Sequence, residues 1–168
     1  ASSGNGSIQH IAGELFKQMT GTSIQHIPYK GAGPAVQDLL GGQVDLFFTT
    51  PASVVNHIKA DKLKGLVVTS SSRLSSLPQV PTFIESGIAD FEINSWVGLM
   101  APSKTPKAIL DKLNTELNAV LSDTDTRERL NALGITAMPG SAQKFGDEVK
   151  RDLIRYGQVV KSAGIKSE

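Results

Sequence analysis

Short apolar runs alternate with amphipathic patterns along residues 1–69, and this alternation limits the possible folds more than any other feature of the sequence. Ile8, Ile11, Ala12, Leu15, Phe16 and Met19 recur at three- and four-residue steps, which predicts a helix ending near Gly21. Ser23 to Tyr29 reads as a short strand stopped by Pro28 and Gly31. Pro34 fits the first turn of a second helix that buries Val36, Leu39 and Leu40. Gly41-Gly42 ends it, because glycine tolerates the left-handed backbone of a helix terminus. Val44 to Phe48 is a compact apolar strand, and Ala52 to Ala60 a helix with Val54, Val55 and Ile58 inside. Leu63 to Thr69 is another buried strand. Units this short predict an α/β fold, a parallel sheet covered by helices. Runs with little alternation fit strands buried on both faces.

The texture changes at Ser70. Ser70 to Pro81 is a long Ser/Pro-rich loop, and such loops are either mobile or functional. A short helix is expected around Phe83 to Ser86, then an extended run from Phe91 to Met100 holding the single tryptophan, Trp96. Thr105 and Pro106 read as N-cap and first residue of a helix burying Ile109, Leu110, Leu113, Leu117, Val120 and Leu121. Arg127 to Leu133 is a further helix closed by Gly134, and Ile135 to Met138 a short strand. Ser141 to Ala163 is a long helix with Phe145, Val149, Leu153, Tyr156 and Val160 inward. The chain therefore divides at about Glu92 to Ala101. The second part has too few strands to build a sheet alone, and its helices at Ile109 to Leu121 and Phe145 to Val160 are expected to expose apolar faces.

Composition removes several function classes. A net charge of +1, with scattered Lys and Arg, gives no reason to expect nucleic acid or a membrane surface. The absence of cysteine excludes disulfides, thiolate metal sites and Cys nucleophiles. No apolar run approaches the ~18 residues of a transmembrane helix, and Ala1 to Ser7 lacks the pattern of a signal peptide. No second His stands at ligand spacing from His10, so no metal is expected. No cofactor motif occurs either: the opening loop lacks the Gly-Lys-Ser/Thr ending of a phosphate loop.

The chemistry concentrates in loops that lead into helices. Ser2, Ser3, Gly4, Asn5, Gly6 and Ser7 run directly into the first helix. Unpaired amides and roughly half a positive charge at a helix start suit an anion; the same residues also make an ordinary turn with Ser7 as N-cap. His10, one turn further, is expected to support that loop from behind. Tyr29 to Pro34 is a second loop of this kind, with backbone donors near Gly31, Ala32 and Gly33 and Lys30 at its rim. Thr49 and Thr50 stand where a strand turns into a helix, the edge at which open α/β sheets bind ligands. Glu85 and Asp90 share no helix face, and no Gly-x-Ser-x-Gly elbow occurs, so neither acid–base nor nucleophilic catalysis is indicated.

Several motifs occur in order along the chain: Ser2-Ser3-Gly4-x-Gly6-Ser7-x-x-His10, His26-Ile27-Pro28-Tyr29-Lys30-Gly31, Leu39-Leu40-Gly41-Gly42-Gln43-Val44-Asp45, Leu77-Pro78-x-Val80-Pro81-Thr82, Glu85-Ser86-Gly87, Trp96-x-Gly98-Leu99-x-Ala101-Pro102, Thr105-Pro106, Leu113-Asn114 and Leu133-Gly134. The ordered set resembles the substrate-binding receptors of tripartite tricarboxylate transporters, the Bug family. The resemblance implies a two-lobed fold similar to type II periplasmic binding proteins, closing on a small organic carboxylate and passing it to membrane permease subunits. It also implies a periplasmic location. Residues 1–94 would be one complete lobe, and 95–168 the interlobe crossing with the C-terminal part of the other. The family's N-terminal half-lobe, with the opposing Gly-rich loop, is expected to be missing. Phe91 to Met100 should be one of the crossings between lobes, where Trp96 either lines the cleft or is a core tryptophan. Thr49 stands where the family often has an acidic residue, which points away from ligands with an ammonium group. An α/β enzyme acting on a small acid and a ligand sensor for a signalling partner are the alternatives.

Overall fold

The computed structural model describes residues 1–91 and 93–165, so Glu92, at the edge of the expected division, lies outside them. Six helices occur among these residues: α1 (Ile8–Thr20), α2 (Ala32–Leu40), α3 (Pro51–Lys59), α4 (Lys107–Ser122), α5 (Thr124–Ala132) and α6 (Ala142–Ser162). Each begins within about three residues of its expected start, apart from the one-turn piece at Phe83 to Ser86, which is a run of turns. Two boundaries moved for local reasons. Pro106, not Thr105, is the N-cap of α4, without a side-chain cap bond. Asp123 ends α4 and also caps α5, its carboxylate accepting the Thr126 N–H at 2.9 Å, so α5 starts at Thr124 rather than Arg127.

The expected strands at 23–29, 44–48, 63–69, 91–100 and 135–138 form no ladder among the described residues. Two isolated parallel bridges stand in their place, Ser2 with Pro28 and Val68 with Thr82. A strand exists only through its neighbour. Residues 1–2 are the one stretch seated between segments 27–29 and 46: Ser2 N–H donates to the Ile27 carbonyl, Tyr29 N–H to the Ser2 carbonyl, and the Ala1 nitrogen to the Leu46 carbonyl at 2.5 Å. Alternation survives without the ladder, with Ile24 and His26 half-buried and Gln25 and Ile27 exposed. Both bridges are parallel, and the one between Ser2 and Pro28 sets the loops before α1 and α2 side by side.

Two small cores hold this arrangement. Ile11 and Ala12 of α1 pack with Ile93, and Tyr156, Val159 and Val160 of α6 close over them. The second joins Val55 of α3 to Leu77 and Val80. Phe16, Phe83 and Phe91 form an aromatic group between them, with Phe83 and Phe91 stacked at 3.9 Å. The Ser/Pro-rich loop is stapled down: Arg73 Nε donates to both carboxylate oxygens of Glu85 at 3.0 and 2.9 Å, and Arg73 Nη1 to the Pro78 carbonyl. Glu85 also accepts the Thr82 N–H while Thr82 Oγ1 accepts the Glu85 N–H, a reciprocal capping pair. Arg73 and these bonds hold the Glu85 carboxyl below the usual range.

The crossing segment is fastened to α6. Asn94 N–H donates to Tyr156 Oη, whose hydroxyl donates to the Asn94 carbonyl, and Trp96 Nε1 donates to buried Asp152 at 2.8 Å. The second part is otherwise thinly packed. No residue of α4 or α5 is buried, so the expected inward face of α4 is exposed from Ile109 to Val120, with Leu121 half-buried, and Leu153 of α6 is exposed as well.

Candidate functional site

The loop before α1 is rooted at Ser2, which is 1% exposed. Its hydroxyl oxygen accepts the Gly4 N–H at 3.2 Å and lies 2.6 Å from His26 Nε2. With the Ser2 proton directed to the Gly4 carbonyl, His26 donates from Nε2; the tautomer is assigned from this network. Gly4 has φ 134°, and a Cβ there would lie 3.1 Å from the Tyr29 carbonyl oxygen. Only glycine combines that backbone with that approach. Ser7 caps α1 as expected: its hydroxyl accepts the His10 N–H at 3.3 Å and donates to the Gly4 carbonyl at 2.7 Å. Gly6 N–H donates to His10 Nδ1 at 3.2 Å. The His10 and His26 rings stack with centroids 3.8 Å apart and 12° between planes.

The second loop is tied to the first, since Gly31 N–H donates to the Ser3 carbonyl at 3.1 Å. Tyr29 Oη donates to Asp38 Oδ2 at 2.7 Å and anchors the loop to α2. Gly31 has φ 102° and offers no side-chain cap. The amides of Ala32 and Gly33 therefore open α2 without an acceptor among the described residues, and Pro34 has none to offer. The Ser3 amide and hydroxyl also go unused among the described residues. Gly4, Gly6 and Ser7 instead spend their amides inside the loop. Among the described residues, Ser3, Ala32 and Gly33 thus offer free donors at the seam where the two loops meet, and Ser2 to Ser7 does not offer them along its whole length.

The third loop precedes α3. Thr50 is its N-cap and Pro51 its first residue, with Thr50 Oγ1 3.2 Å from Ser53 Oγ. Thr49 Oγ1 is sealed from solvent and has no hydrogen-bond partner among the described residues. Trp96 stands apart from these loops, edge-on to Phe145 of α6 at 4.9 Å. A cavity of about 450 Å³ lies where the start of α1 meets the end of α6, lined by Asn5, His10, Glu14, Lys17, Gly164 and Ile165. Among the described residues no group of His, Asp and Glu could hold a metal ion, and no helix is long and apolar enough to cross a membrane.

Burial is the first cause that lowers both His10 and His26 below their ordinary value of 6.5; for His26 the neighbouring His10 adds to it. Sequence reasoning found His10 but passed over His26 as a supporting residue. The signal that could have found it was its inward register two residues after Ile24.

A family model described as "Tripartite tricarboxylate transporter family receptor" matches residues 1–165. The chain is similar to the periplasmic binding protein BugD, with 35% identity and a TM-score of 0.88 over 99% of this chain and 57% of that one. It is similar to Rpa4515 of R. palustris, solved with adipate, at 35% identity and a TM-score of 0.89 over 95% of this chain and 54% of that one. It is also similar to MatC of Rhodopseudomonas palustris, solved with bound malate, at 31% identity and a TM-score of 0.83 over 92% and 54%. The chain spans about half the length of the first curated relatives it matches: 48%, 47% and 49% of each. These likenesses give the chain a periplasmic-binding-protein fold and set it among receptors rather than enzymes. The chain belongs to the receptor family of the tripartite tricarboxylate transporters.

Proposed function

We propose that this chain supplies one jaw of a periplasmic receptor that binds a small organic carboxylate and delivers it to the permease of a tripartite transporter. The observation that carries this reading is the seam of unused donors at Ser3, Ala32 and Gly33, set between two helix N-termini on one edge. A carboxylate needs two or more convergent N–H or O–H donors and gains from the partial positive charge at a helix start. Ser3, Gly31, Ala32, Gly33 and Thr50 line the proposed site. Ser2, Gly4, Asn5, Gly6, Ser7 and Thr49 shape it, His10 supports it from behind, and Trp96, fastened to α6, belongs to the crossing. The relatives solved with adipate and malate both hold dicarboxylates, which supports the ligand class.

In this proposal residues 1–94 are the ligand-binding lobe and 95–168 the crossing with part of the second lobe. The half of the relatives that the chain does not match would complete that second lobe. The bare faces of α4 and α6 support this division.

The test is a thermal-shift series on the full-length protein with adipate, malate and a tricarboxylate. A ligand at one hundred times its Kd stabilises by about 2.7 kcal/mol, a readily measured shift. Ser3→Asp places a like charge at the seam and is expected to abolish the shift while leaving the unliganded melt in place. Undiminished carboxylate affinity in that variant would sink the proposal.

A further inference from the structure

The stacked histidines have no role in the reading above beyond the support assigned to His10. The geometry points to His10 and His26 as a pair of positioning residues, neutral and stacked, that brace the carboxylate loop at Gly6 and Gly4, with His10 releasing Gly6 in acid. The inference rests on the proposal that this loop faces the ligand.

Three contacts set the protonation state. Gly6 N–H points at His10 Nδ1, so that nitrogen carries no proton and Nε2 does, facing Glu14 Oε1 at 3.6 Å. His26 Nε2 meets the Ser2 hydroxyl, whose oxygen takes the Gly4 N–H. The rings lie 3.8 Å apart, too close for both to be charged without strong repulsion. Among the described residues the surrounding groups are these. On α1, Glu14 pairs with Lys17 at 2.6 Å; on the segment before Tyr29, His26 is the titratable group, with the Ala1 nitrogen nearby. The end of α6 contributes Gly164 and Ile165 to the adjoining cavity, neither of them titratable.

The sign follows from the lowered values. Above 6.5 both rings are neutral and both glycine amides are held. Below 6.5 a proton is taken up, and His10 receives it first because Glu14 stands beside it. The protonated Nδ1 then faces the Gly6 N–H, two donors at 3.2 Å with nothing to accept either. The bond is lost and Gly6 is freed. The added positive charge would by itself draw an anion closer, so an acid-induced rise in affinity would mean that charge, not loop geometry, dominates.

The experiment follows backbone amides of the full chain by ¹⁵N NMR from about pH 8 to about pH 5, without ligand. The Gly6 amide is expected to titrate in step with the His10 ring, with a midpoint below 6.5. The Gly21 amide, bonded to the Lys17 carbonyl at the other end of α1, is expected to stay flat. His10→Asn keeps an acceptor near the Nδ1 position that cannot be protonated, so its Gly6 amide is expected to hold the high-pH position throughout. A Gly6 amide that ignores pH in the parent, or still titrates in His10→Asn, overturns the proposal. A second arm measures adipate affinity at both ends of the range in parent and variant. Adipate's own titration is common to both, so an excess several-fold loss in acid for the parent belongs to the loop; a gain overturns the proposal. Failure of adipate to bind at any pH would count against the ligand class and leave the amide titration as the deciding result.

Discussion

Ser7 shows how much one hydroxyl decides at this site. It caps α1 through the His10 N–H and braces the loop through the Gly4 carbonyl. Ser7→Ala removes both, and a lost cap costs about 1 kcal/mol, up to about 2. The expected result is a lower midpoint in urea unfolding with an unchanged slope, accompanied by weaker carboxylate binding. A loss of stability below about 0.3 kcal/mol would mean the cap is idle. The role of Ser7 was legible because a cap is a local pattern, written within four residues of the helix start. The same reasoning placed the cap of α4 one residue early, since Thr105 and Pro106 offer two registers for one signal. His26 was not legible as a loop support. Its partner Ser2 lies 24 positions away, and no local pattern records a contact that only the packed chain creates. Thr49 shows the converse. The sequence marks a hydroxyl at a sheet edge, but only the packing reveals that Oγ1 is sealed from solvent.

At the scale of elements, helices were read well and strands only in direction. A helix satisfies its own backbone, so its period and caps suffice to define it. A strand needs a neighbour, and the backbone of residues 27–29 and of Leu46 is bonded to Ala1 and Ser2, a stretch of two residues, between them. The parallel sense at Ser2 and Pro28 was therefore correct, while the ladders did not form. One contact between elements has a testable consequence for the site. Gly134, after α5, has φ 73°, and a Cβ there would lie 2.5 Å from Pro51 Cβ and 3.2 Å from Ser76 Oγ. Pro51 is the first residue of α3, next to Thr50. Gly134→Ala is expected to cost about 1–2 kcal/mol of left-handed backbone strain and, beyond that, to push the start of α3 out of place. Gly21→Ala is the control, because Gly21 has φ 66° and a Cβ there would meet nothing within 4 Å, so it carries strain alone. The difference between the two melts isolates the contact. Equal destabilisation, with carboxylate affinity unaltered in both, would show that α5 does not set the position of α3.

At the scale of the whole molecule the governing fact is apolar surface without cover. Ile109, Leu113, Leu117 and Val120 repeat at three and four residues along α4, the pattern of a helix that packs against something. Yet Leu113 is 43% and Leu117 37% exposed, and no residue of α4 is buried. A helix with such a face gains most of its stability from packing, so this surface is expected to find a partner. In the full-length protein the proposed cover is the half of the relatives that this chain does not match. In the 168-residue chain by itself the expected cover is a second copy, and association should grow with concentration in light scattering. Leu113→Glu combined with Leu117→Glu separates the cases. In the 168-residue chain it removes association and leaves helix content unchanged, because both positions then face water. In the full-length protein the same pair places two charges beneath the cover and should cost several kcal/mol, since buried charges without partners are strongly unfavourable. If the full-length protein tolerates both substitutions with an unchanged melt, α4 faces solvent there too, and the cover proposed for the second lobe packs elsewhere.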